Sequence, residues 1–401
     1  MADDIVEHIR RDHSELTEIR RDIHAHPELG LEEFRTAELV ATRLAQWGVE
    51  VHRNVGKTGV VGVLRNGEGP SVGLRADMDA LPIEEQTNLD YSSRNAGQMH
   101  ACGHDGHTTM LLGAAKYLAA TRNFRGTVNF IFQPGEEGIG GALAMLEDGL
   151  FERFPCQTIF GMHNRPGMPI GQFAITPGVG MAGGAFFDIS ITGKGAHGAR
   201  PEESIDPVLI ACHIGTALQS IVARNIAPQD TAVLSVTRIQ AGEAYNVIPQ
   251  TAKLSGTVRT LKRETMALVK TNMQRLAANI AIGFGAEATV DFRVIFAPLV
   301  NDVRHAQAFA DAAAELVGES KVNRNKPPAN ASEDFSFMLE KVPGAYINLG
   351  NGEDSAPVHN PAYNFNDAAI PYGAALFARI VERELATLAA KGAPKDEQPR
   401  T

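Results

Sequence analysis

The feature that most constrains this chain is an alternation of short β-rich runs with helical segments across its first half. The β-rich runs are "GVVGVL", "SVGLRA", "TVNFIF" and "QTIFGM", and helical stretches such as "HTTMLLGAAKYLAA" lie between them. This alternation is typical of a mainly parallel sheet between helices. Ile9, Leu16, Ile19 and Ile23 recur at near-helical spacing and predict an opening helix that ends at "HPELG". The first half is therefore expected to be α/β.

A different order of elements begins near Gly183 and continues to about Phe296. Its β-rich runs and its two helices, from Asp206 to Ala223 and from Glu264 to Phe284, follow the order β-α-β-β-α-β. That order predicts a ferredoxin-like α+β domain. The alternation of β-rich runs and helices then resumes with "AYINLG" and a closing helix from Tyr372. We expect a split catalytic domain over residues 1–182 and 297–390, an inserted lid domain over residues 183–296, and a flexible tail over residues 391–401.

The composition narrows the class of partner. The 401 residues are 44% apolar and 21% charged, which is enough for a large core. The net charge of -10 is spread along the chain and argues against nucleic acid and anionic membranes as partners. No run approaches the roughly 20 apolar residues of a membrane span, and the N-terminal stretch lacks the apolar core of a signal peptide. Three scattered cysteines do not make a disulfide framework. We expect a cytoplasmic protein that acts on a small molecule.

Polar residues that could act in catalysis or metal binding follow several of the predicted strands. Asp77 and Asp79 follow "SVGLRA", Glu136 and Glu137 follow "TVNFIFQPG", and His163 follows "QTIFGM". In open α/β sheets, ligands bind beyond the carboxyl ends of the strands, so these side chains are expected at one edge of the sheet. The stretch "MHACGHDGH" precedes a helix, and "SAPVHNP" precedes the last helix. Both can reach the same edge.

Five of these side chains have the chemistry of metal ligands. They supply a thiolate, imidazoles and a carboxylate, and they are Cys102, His104, Glu137, His163 and His359. Five are too many for one tetrahedral zinc with an open position, but they suit two ions that share a bridging ligand. Satisfied structural polar residues are the alternative interpretation. The adjacent Glu136 can act as a free general base on water, or both acids can simply favour a helix N-terminus.

Short motifs from about residue 20 to residue 380 follow one another in a recognisable order. They are "RRDIHAHPELGLEE", "GLRADMDALPIEE", "MHACGHDGHTTMLLGAA", "FQPGEEGIGGALAM", "GMHN", "GKGAHGARP", "NVIPQTAKLSGTVRT", "SEDFSFM" and "VHNP". As a set, this sequence resembles the hippurate hydrolase and N-acyl-amino-acid amidohydrolase branch of the dinuclear-metal aminoacylase and carboxypeptidase superfamily. The resemblance implies a metal-dependent amidohydrolase that cleaves N-acyl amino acids.

The resemblance also implies roles for individual residues. Two divalent ions would share Cys102, with His104 and His163 on one ion and Glu137 and His359 on the other. In the wider superfamily the position of Arg75 is usually a histidine ligand and that of Cys102 an aspartate bridge. This exchange leaves zinc, manganese, cobalt and nickel all possible.

The remaining implied roles concern catalysis and substrate binding. Glu136 would be the general base, and Asp77 would orient a ligand. His197 would stabilise negative charge on the carbonyl oxygen, often from the neighbouring subunit of a homodimer or higher homo-oligomer built through the lid domain. Asn246 and Arg259 would contact substrate, with Arg259 pairing with a carboxylate. Without the resemblance, His197, Asn246 and Arg259 are interpreted as ordinary surface polar residues.

Two rival functions remain open from the sequence. One is a hydrolase that uses Cys102 as its nucleophile with a nearby histidine as base. The other is a binding protein that retains the pocket without catalysis. Relatives in the resembled branch act on benzoylglycine, N-acetylated amino acids, N-acetyldiaminopimelate, auxin conjugates or aminobenzoylglutamate, so the sequence leaves the acyl group open.

Overall fold

The computed structural model describes residues 5–392 of the chain, and these form two compact units. Unit 1 contains the described residues up to Gly180, Val300–Pro327, and those from Phe337 onward; unit 2 contains Met181–Leu299 and Pro328–Ser336. The sequence-based boundaries at residues 183 and 296 stay a prediction. Residues 328–336, which were expected in the first domain, group with unit 2. Most of the expected tail, residues 393–401, lies outside the described residues.

The strands carry the framework of both units. In chain order they are β1 Glu50–Val55, β2 Gly59–Asn66, β3 Ser71–Asp77, β4 Gly126–Gln133, β5 Thr158–Arg165, β6 Phe173–Ile175, β7 Gly178–Met181, β8 Gly183–Thr192, β9 Ala196–His197, β10 Ala232–Ala241, β11 Val247–Ile248, β12 Thr251–Thr260, β13 Glu287–Phe296, β14 Leu299–Asn301, β15 Val322–Asn323 and β16 Gly344–Gly350.

The helices connect these strands and cover them. In chain order they are α1 Ile5–Arg10, α2 His13–Ala25, α3 Phe34–Gln46, α4 His104–Thr121, α5 Gly141–Glu147, α6 Leu150–Arg153, α7 Pro207–Ser220, α8 Arg263–Gly283, α9 Val303–Val317, α10 Phe335–Leu339 and α11 Ile370–Gly392. Single turns of 3₁₀ helix lie at Pro201–Glu203, Glu319–Lys321 and Asp367–Ala369, and a π-helical turn, Ile221–Asn225, extends α7.

The large sheet of unit 1 has the strand order β1-β2-β4-β3-β5-β16-β6-β15. Its centre is parallel, because β3 pairs in parallel with both β4 and β5, and β5 pairs in parallel with β16. Antiparallel pairing is confined to β1 with β2, β2 with β4, and β16 with β6. Central strands are mainly apolar because they are buried: Phe130 and Phe132 of β4 are fully enclosed. The expected mainly parallel sheet between helices is confirmed.

Unit 2 contains a four-stranded antiparallel sheet in the order β10-β12-β8-β13. Alternate residues of β8, among them Phe187, Ile189 and Ile191, are buried in the core that α7 and α8 complete. This alternation of apolar and exposed positions is the pattern of a sheet covered on one face. Strand and helix order match the expected ferredoxin-like unit.

Helix α7 with its π-helical turn has the length and composition that a membrane span requires. The segment Pro207–Asn225 has a mean hydropathy of 1.3 over its most apolar window, so the expectation that no such run exists was wrong. Its apolar character has a local explanation, because Ile210, Ile214 and Leu218 are buried in the core of unit 2. Core helices of globular domains share this composition, so the segment is weak evidence for a membrane.

Candidate metal centre

The strand ends of unit 1 bring carboxylates and an imidazole to one edge of the large sheet. Asp77 is the last residue of β3, Glu136 and Glu137 lie in the turn after β4, and His163 lies near the end of β5. Since β4, β3 and β5 are parallel neighbours, their carboxyl ends meet at this edge. Helix α5 begins only at Gly141, so neither glutamate lies in its first turn and the helix-dipole interpretation was wrong.

The turn into α4 places Cys102 and His104 at the same edge. Gly103, between them, has a φ of 90°. A Cβ at this position would lie 2.4 Å from both Asn164 Nδ2 and Tyr363 Oη, so only glycine fits without displacing these buried groups.

The loop between β16 and α11 brings in the last predicted ligand. His359 adopts the left-handed conformation with a φ of 64°. Its backbone N–H donates to the carbonyl oxygen of Ala101 at 2.7 Å. This hydrogen bond fixes His359 beside the Cys102 segment although the two residues are far apart in sequence.

Two sets of potential metal donors share the sulfur of Cys102. Donor set 1 is Cys102, His104 and His163, donor set 2 is Cys102, Glu137 and His359, and within each set the donor atoms lie within 4.8 Å of one another. Cys102 Sγ is 3.4 Å from His163 Nε2, and Glu137 Oε1 is 3.2 Å from His359 Nε2. The structure therefore brings together all five residues predicted as ligands, in the two groups that the resemblance implies; their roles stay predictions.

Two buried donor atoms in these sets fit a cation. His104 Nε2 and Glu137 Oε1 are buried and form no hydrogen bond with the described residues. An unsatisfied buried polar atom costs about 1–3 kcal/mol, and a coordinated cation would remove that penalty at both atoms. A thiolate, three imidazoles and a carboxylate are also a suitable set for borderline-soft divalent ions. The residues present therefore fit two divalent metal ions.

Hydrogen bonds on the outer side of each imidazole fix its orientation. His163 Nδ1 donates to the carbonyl oxygen of Asn164 at 2.6 Å, so its unprotonated Nε2 faces Cys102. His104 Nδ1 lies 3.1 Å from Asp79 Oδ1, and its Nε2 lies 4.0 Å from Glu137 Oε1. Such outer partners select the tautomer and raise the basicity of metal-binding histidines.

Asp77, which was predicted to orient a ligand, has its Oδ2 3.8 Å from Nε2 of the candidate ligand His104 and forms its hydrogen bonds with other residues. The carboxylate that hydrogen-bonds to His104 is that of Asp79, whereas Asp77 accepts from Arg75 Nη1 at 2.9 Å and from His107 Nδ1 at 2.6 Å. Burial opposes its charge, but His104, His107 and Arg75 hold the pKa of Asp77 well below its ordinary value. Asp77 thus orients His107 and neutralises Arg75.

The role of His107 can be derived from its two nitrogens. The backbone N–H of Asn164 donates to His107 Nε2 at 2.9 Å, so the ring proton lies on Nδ1 and is donated to Asp77. His107 is therefore a buried link between β3, α4 and β5.

The pKa values of three ligand candidates depend on burial and on their neighbours. Burial, reinforced by the charge of Glu137, raises the pKa of the Cys102 thiol, and burial lowers the pKa of His163 well below its ordinary value. The nearby thiol of Cys102 and the carboxylate of Glu137 raise the pKa of His359 to about 10. A divalent cation held by these residues would favour the thiolate and the neutral imidazole, and would therefore oppose the shifts of Cys102 and His359.

Glu136 lies beside donor set 2 without belonging to either donor set. Its side chain is buried, and its carboxylate lies within 4.8 Å of donor atoms of His104 and Glu137. The loop that carries both glutamates is fixed by Asp79, which accepts from the backbone N–H of Glu137 at 2.9 Å, and by Glu33, which accepts from that of Gly135 at 2.8 Å. Burial raises the pKa of Glu33 to about 7.

A buried polar network behind α4 has no counterpart among the sequence predictions. His24, to which the sequence assigned no role, lies 2.8 Å from Asp105 Oδ2 through Nδ1 and 3.3 Å from Glu85 Oε1 through Nε2. Burial opposes its charge, but the hydrogen bonds to Asp105 and Glu85 outweigh burial and raise the pKa of His24 to about 9. Arg20 is fully buried and lies 3.4 Å from Asp105. The motif "RRDIHAHPELG" was the only signal of this network.

The three residues predicted in the lid domain lie in unit 2. His197 of β9 pairs with Val247 of β11, and the carbonyl oxygen of Asn246 accepts from the backbone N–H of Gly198 at 2.7 Å, so His197 and Asn246 are neighbours. The backbone N–H of Ala199 donates to His197 Nδ1 at 3.0 Å. Neutral His197 therefore carries its proton on Nε2 and can donate it.

Arg259 stands on β12 and is half-buried. Its Nη1 donates to Val258 O at 3.0 Å and to Thr257 Oγ1 at 2.5 Å. Burial lowers its pKa, but an arginine stays charged. Among the described residues, Arg259 has no carboxylate within ion-pair distance, so its charge is available to a ligand.

Comparison with known proteins finds one matching family and several similar enzymes. Residues 73–383 match the model of peptidase family M20/M25/M40. The chain is 44% identical over 372 residues to hippurate hydrolase of Campylobacter jejuni subsp. jejuni, covering 92% of this chain and 97% of that protein. It is 40% identical over 380 residues to N-acetylcysteine deacetylase of Bacillus subtilis, covering 94% and 98%.

A solved structure shares the fold of the chain. It is the Bacillus subtilis YXEP protein, described as a dinuclear metal binding peptidase of the M20 family, with a TM-score of 0.82 and 36% identity. The match covers 94% of this chain and 99% of that one. The agreement therefore extends over both units of the chain.

Proposed function

The chain belongs to peptidase family M20/M25/M40, and from that premise we propose that it is a metal-dependent amidohydrolase that cleaves the amide of N-acyl amino acids to a carboxylate and a free amino acid. The single observation that supports this most is the shared position of Cys102 in two donor sets. Proteins named hippurate hydrolase and N-acetylcysteine deacetylase both act on an acylated amino acid, so the class of substrate follows from the relatives while the acyl group does not.

Cys102, His104 and His163 would hold one cation, and Cys102, Glu137 and His359 would hold the other. When bound, divalent cations polarise the acyl carbonyl and lower the pKa of the attacking water. A bridging thiolate favours borderline-soft ions, so zinc, cobalt and nickel are candidates, and the carboxylate keeps manganese among them.

Glu136 supplies the proton transfer in this proposal. Its buried carboxylate would take a proton from water as the water attacks the acyl carbon, and would then deliver that proton to the departing amine nitrogen. Asp77, His107 and Arg75 would keep the edge of the sheet rigid behind it. His197 would donate its Nε2 proton to the negative carbonyl oxygen.

Arg259 and Asn246 would select the amino-acid half of the substrate. A half-buried guanidinium without a carboxylate partner suits the α-carboxylate of an acyl amino acid, because arginine binds carboxylates through two parallel hydrogen bonds.

We also propose that unit 2 forms a homodimer or higher homo-oligomer through its sheet edge. We further propose that the protein is cytoplasmic, since its three free cysteines fit a reducing compartment.

Replacing Glu136 by Gln tests the general base. The variant should retain its metal content and lose about 10²–10⁴-fold in kcat on an acyl amino acid, since proton transfer contributes that much. Glu137→Gln is the matched control, because it should lose a metal ion as well as activity. Near-normal turnover of Glu136→Gln would remove the assignment.

A chelator test separates this mechanism from a cysteine nucleophile. Burial raises the pKa of the Cys102 thiol, which makes the cation-free thiol a poor nucleophile. We expect a strong chelator to abolish turnover of a panel of acyl amino acids, and zinc, manganese, cobalt or nickel to restore it. Activity that is indifferent to the chelator and is destroyed by a thiol alkylator would overturn the proposal.

A further inference from the structure

A pocket on unit 1, separate from both donor sets, concentrates positive charge. We call it the basic pocket: a cavity of about 460 Å³ between the loop that follows β5 and the segment of residues 320–327, lined by Arg165, Lys321, Lys326 and uncharged groups that include Gln172 and Asn323. None of its lining residues is an aspartate or a glutamate. The chain as a whole has 47 acidic and 37 basic residues, so this local excess of cations runs against its composition.

The cations of the basic pocket have no acidic partner within residues 5–392. Arg165 and Lys321 form no ion pair there, and the acids closest to Lys321 along the chain are already engaged. Arg324 donates to Glu319 at 2.6 Å and to Asp311 at 2.7 Å. The charges that line the cavity are therefore left for a ligand.

Lys326 stands in a fixed position within the basic pocket. Its Nζ donates to Asn348 Oδ1 at 2.8 Å, which leaves two of its three N–H donors for other partners. Its backbone N–H donates to Ile175 O at 3.0 Å, and its carbonyl oxygen accepts from Thr176 Oγ1 at 2.7 Å. Burial and the neighbouring charge of Arg165 lower the pKa of Lys326 to about 8. Arg165 and Lys326 thus place like charges on the lining of one cavity.

We propose that the basic pocket binds a small anion with at least two negative charges, of the phosphate or dicarboxylate class. Arg165 offers a planar fork that matches two oxygens of such a group, and Lys326 and Lys321 offer point charges. A cavity of this size accepts a small metabolite. An anion would offset the repulsion between Arg165 and Lys326, which no carboxylate among residues 5–392 does.

The basic pocket shares strands with the candidate metal centre. Arg165 ends β5 two residues after His163, and Asn348 of β16 is the register partner of His163. The anion would therefore contact the same pair of strands that positions a ligand of donor set 1, but through side chains that belong to neither donor set.

Thermal unfolding of the metal-loaded protein tests the site with two probes. Inorganic phosphate and succinate are titrated separately at an ionic strength held constant with sodium chloride. We expect at least one of them to raise Tm in a saturable manner, and the probe that does so identifies the class of anion. Lys326→Met should weaken this binding at least about tenfold, as loss of a charge-assisted hydrogen bond predicts. Lys341→Met, which removes an exposed lysine elsewhere on unit 1, should leave it unchanged.

Chemical modification gives a second measurement that does not depend on a mutant folding. Acetic anhydride at pH 8 should acylate Lys326 readily, and a bound anion at about ten times Kd should slow this reaction about tenfold, because only about a tenth of the sites are then free. Acylation of Lys341 should not change. The proposal is overturned if neither probe raises Tm, or if wild type and Lys326→Met respond equally, which would place the anion at the metal centre or on the general surface.

Discussion

At the scale of single residues, Cys102 is the side chain on which both donor sets depend, because its sulfur belongs to each. A histidine or carboxylate ligand belongs to one set only. Loss of Cys102 should therefore affect two ions, whereas loss of His359 should affect one.

Substitution of Cys102 tests this bridging position. Cys102→Ala should lower metal content from two ions per subunit toward none, and Cys102→Asp should retain both while shifting preference toward manganese, because a carboxylate is a harder ligand. Metal analysis after equal loading measures the outcome. Cys156→Ala is the control, since Cys156 contacts Asn129 and Phe154 and belongs to neither donor set. Two ions retained by Cys102→Ala would contradict the bridge.

His24 should make stability depend on pH. Its pKa of about 9 lies above the ordinary value of 6.5, so its contribution is complete below about pH 6.5 and is lost as the pH rises through 9. Between these limits the free energy of unfolding should fall by on the order of 3 kcal/mol more in the wild type than in His24→Gln. Denaturant unfolding from pH 6 to pH 9.5 measures the difference. Parallel pH profiles would show that His24 is not charged in the folded protein.

The donor residues could be predicted from the sequence, but their supporting contacts could not. Cys102, His104 and Glu137 are recognisable because their chemistry and motifs are local. The choice of Asp79 rather than Asp77 as the partner of His104 depends on which way each side chain leaves the end of β3. The network around His24 joins segments about 80 residues apart, so the local motif that contains His24 does not by itself identify its partners.

At the scale of elements, the turn into α4 limits what residue 103 can be. Gly103 and Gly140 both precede a helix with a positive φ, of 90° and 82°. They differ in their surroundings, because a Cβ at Gly140 meets open space while one at Gly103 overlaps Asn164 and Tyr363.

Alanine at these two glycines separates backbone strain from overlap. Gly140→Ala should cost only about 1 kcal/mol of stability, from strain. Gly103→Ala should cost about 1–3 kcal/mol more and should also lower metal content, because Cys102 and His104 flank the displaced turn. Denaturant unfolding and metal analysis measure both effects. An equal loss of stability in the two variants would mean that the turn at residue 103 accommodates the added Cβ without moving Cys102 and His104.

Strands with buried apolar residues were predicted, and the polar edge strand was not. Strands β3 and β4 are mainly apolar because they are buried along nearly their whole length. Strand β1, "EVHRNV", is mostly exposed at the sheet edge, so its pairing with β2 rather than its own composition defines it. The opening helix was expected to be continuous, and the structure divides it into α1 and α2 at Arg11 and Asp12.

At the scale of the whole molecule, the division of unit 1 into separate stretches of sequence follows from the order of the chain's strands and helices. The inserted unit could be predicted because its β-α-β-β-α-β order differs from the pattern on both sides of it. The grouping of residues 328–336 with unit 2 could not be, since this segment returns to unit 2 only through contacts. Assembly with a second subunit stays a proposal, because it depends on the surface of the folded protein rather than on the order of its elements.

Mixing of two inactive variants tests assembly and the place of His197 together. If His197 serves the metal centre of a neighbouring subunit, His197→Ala mixed with Glu136→Gln should recover part of the activity, because one site of the mixed dimer then has both residues. Turnover after proven subunit exchange measures the recovery. Each variant alone provides the baseline. Absence of recovery would show that His197 acts within its own subunit or not at all.

The backbone hydrogen bond between His359 and Ala101 has a consequence for how an ion leaves. The imidazole that closes donor set 2 is tethered by its own main chain to the segment that carries the shared sulfur. If donor set 2 holds a cation, the loop that carries His359 could not move away from it without breaking the backbone hydrogen bond to Ala101. Exchange of this ion should therefore be governed by a rare opening of the chain rather than by the strength of any one coordinate bond.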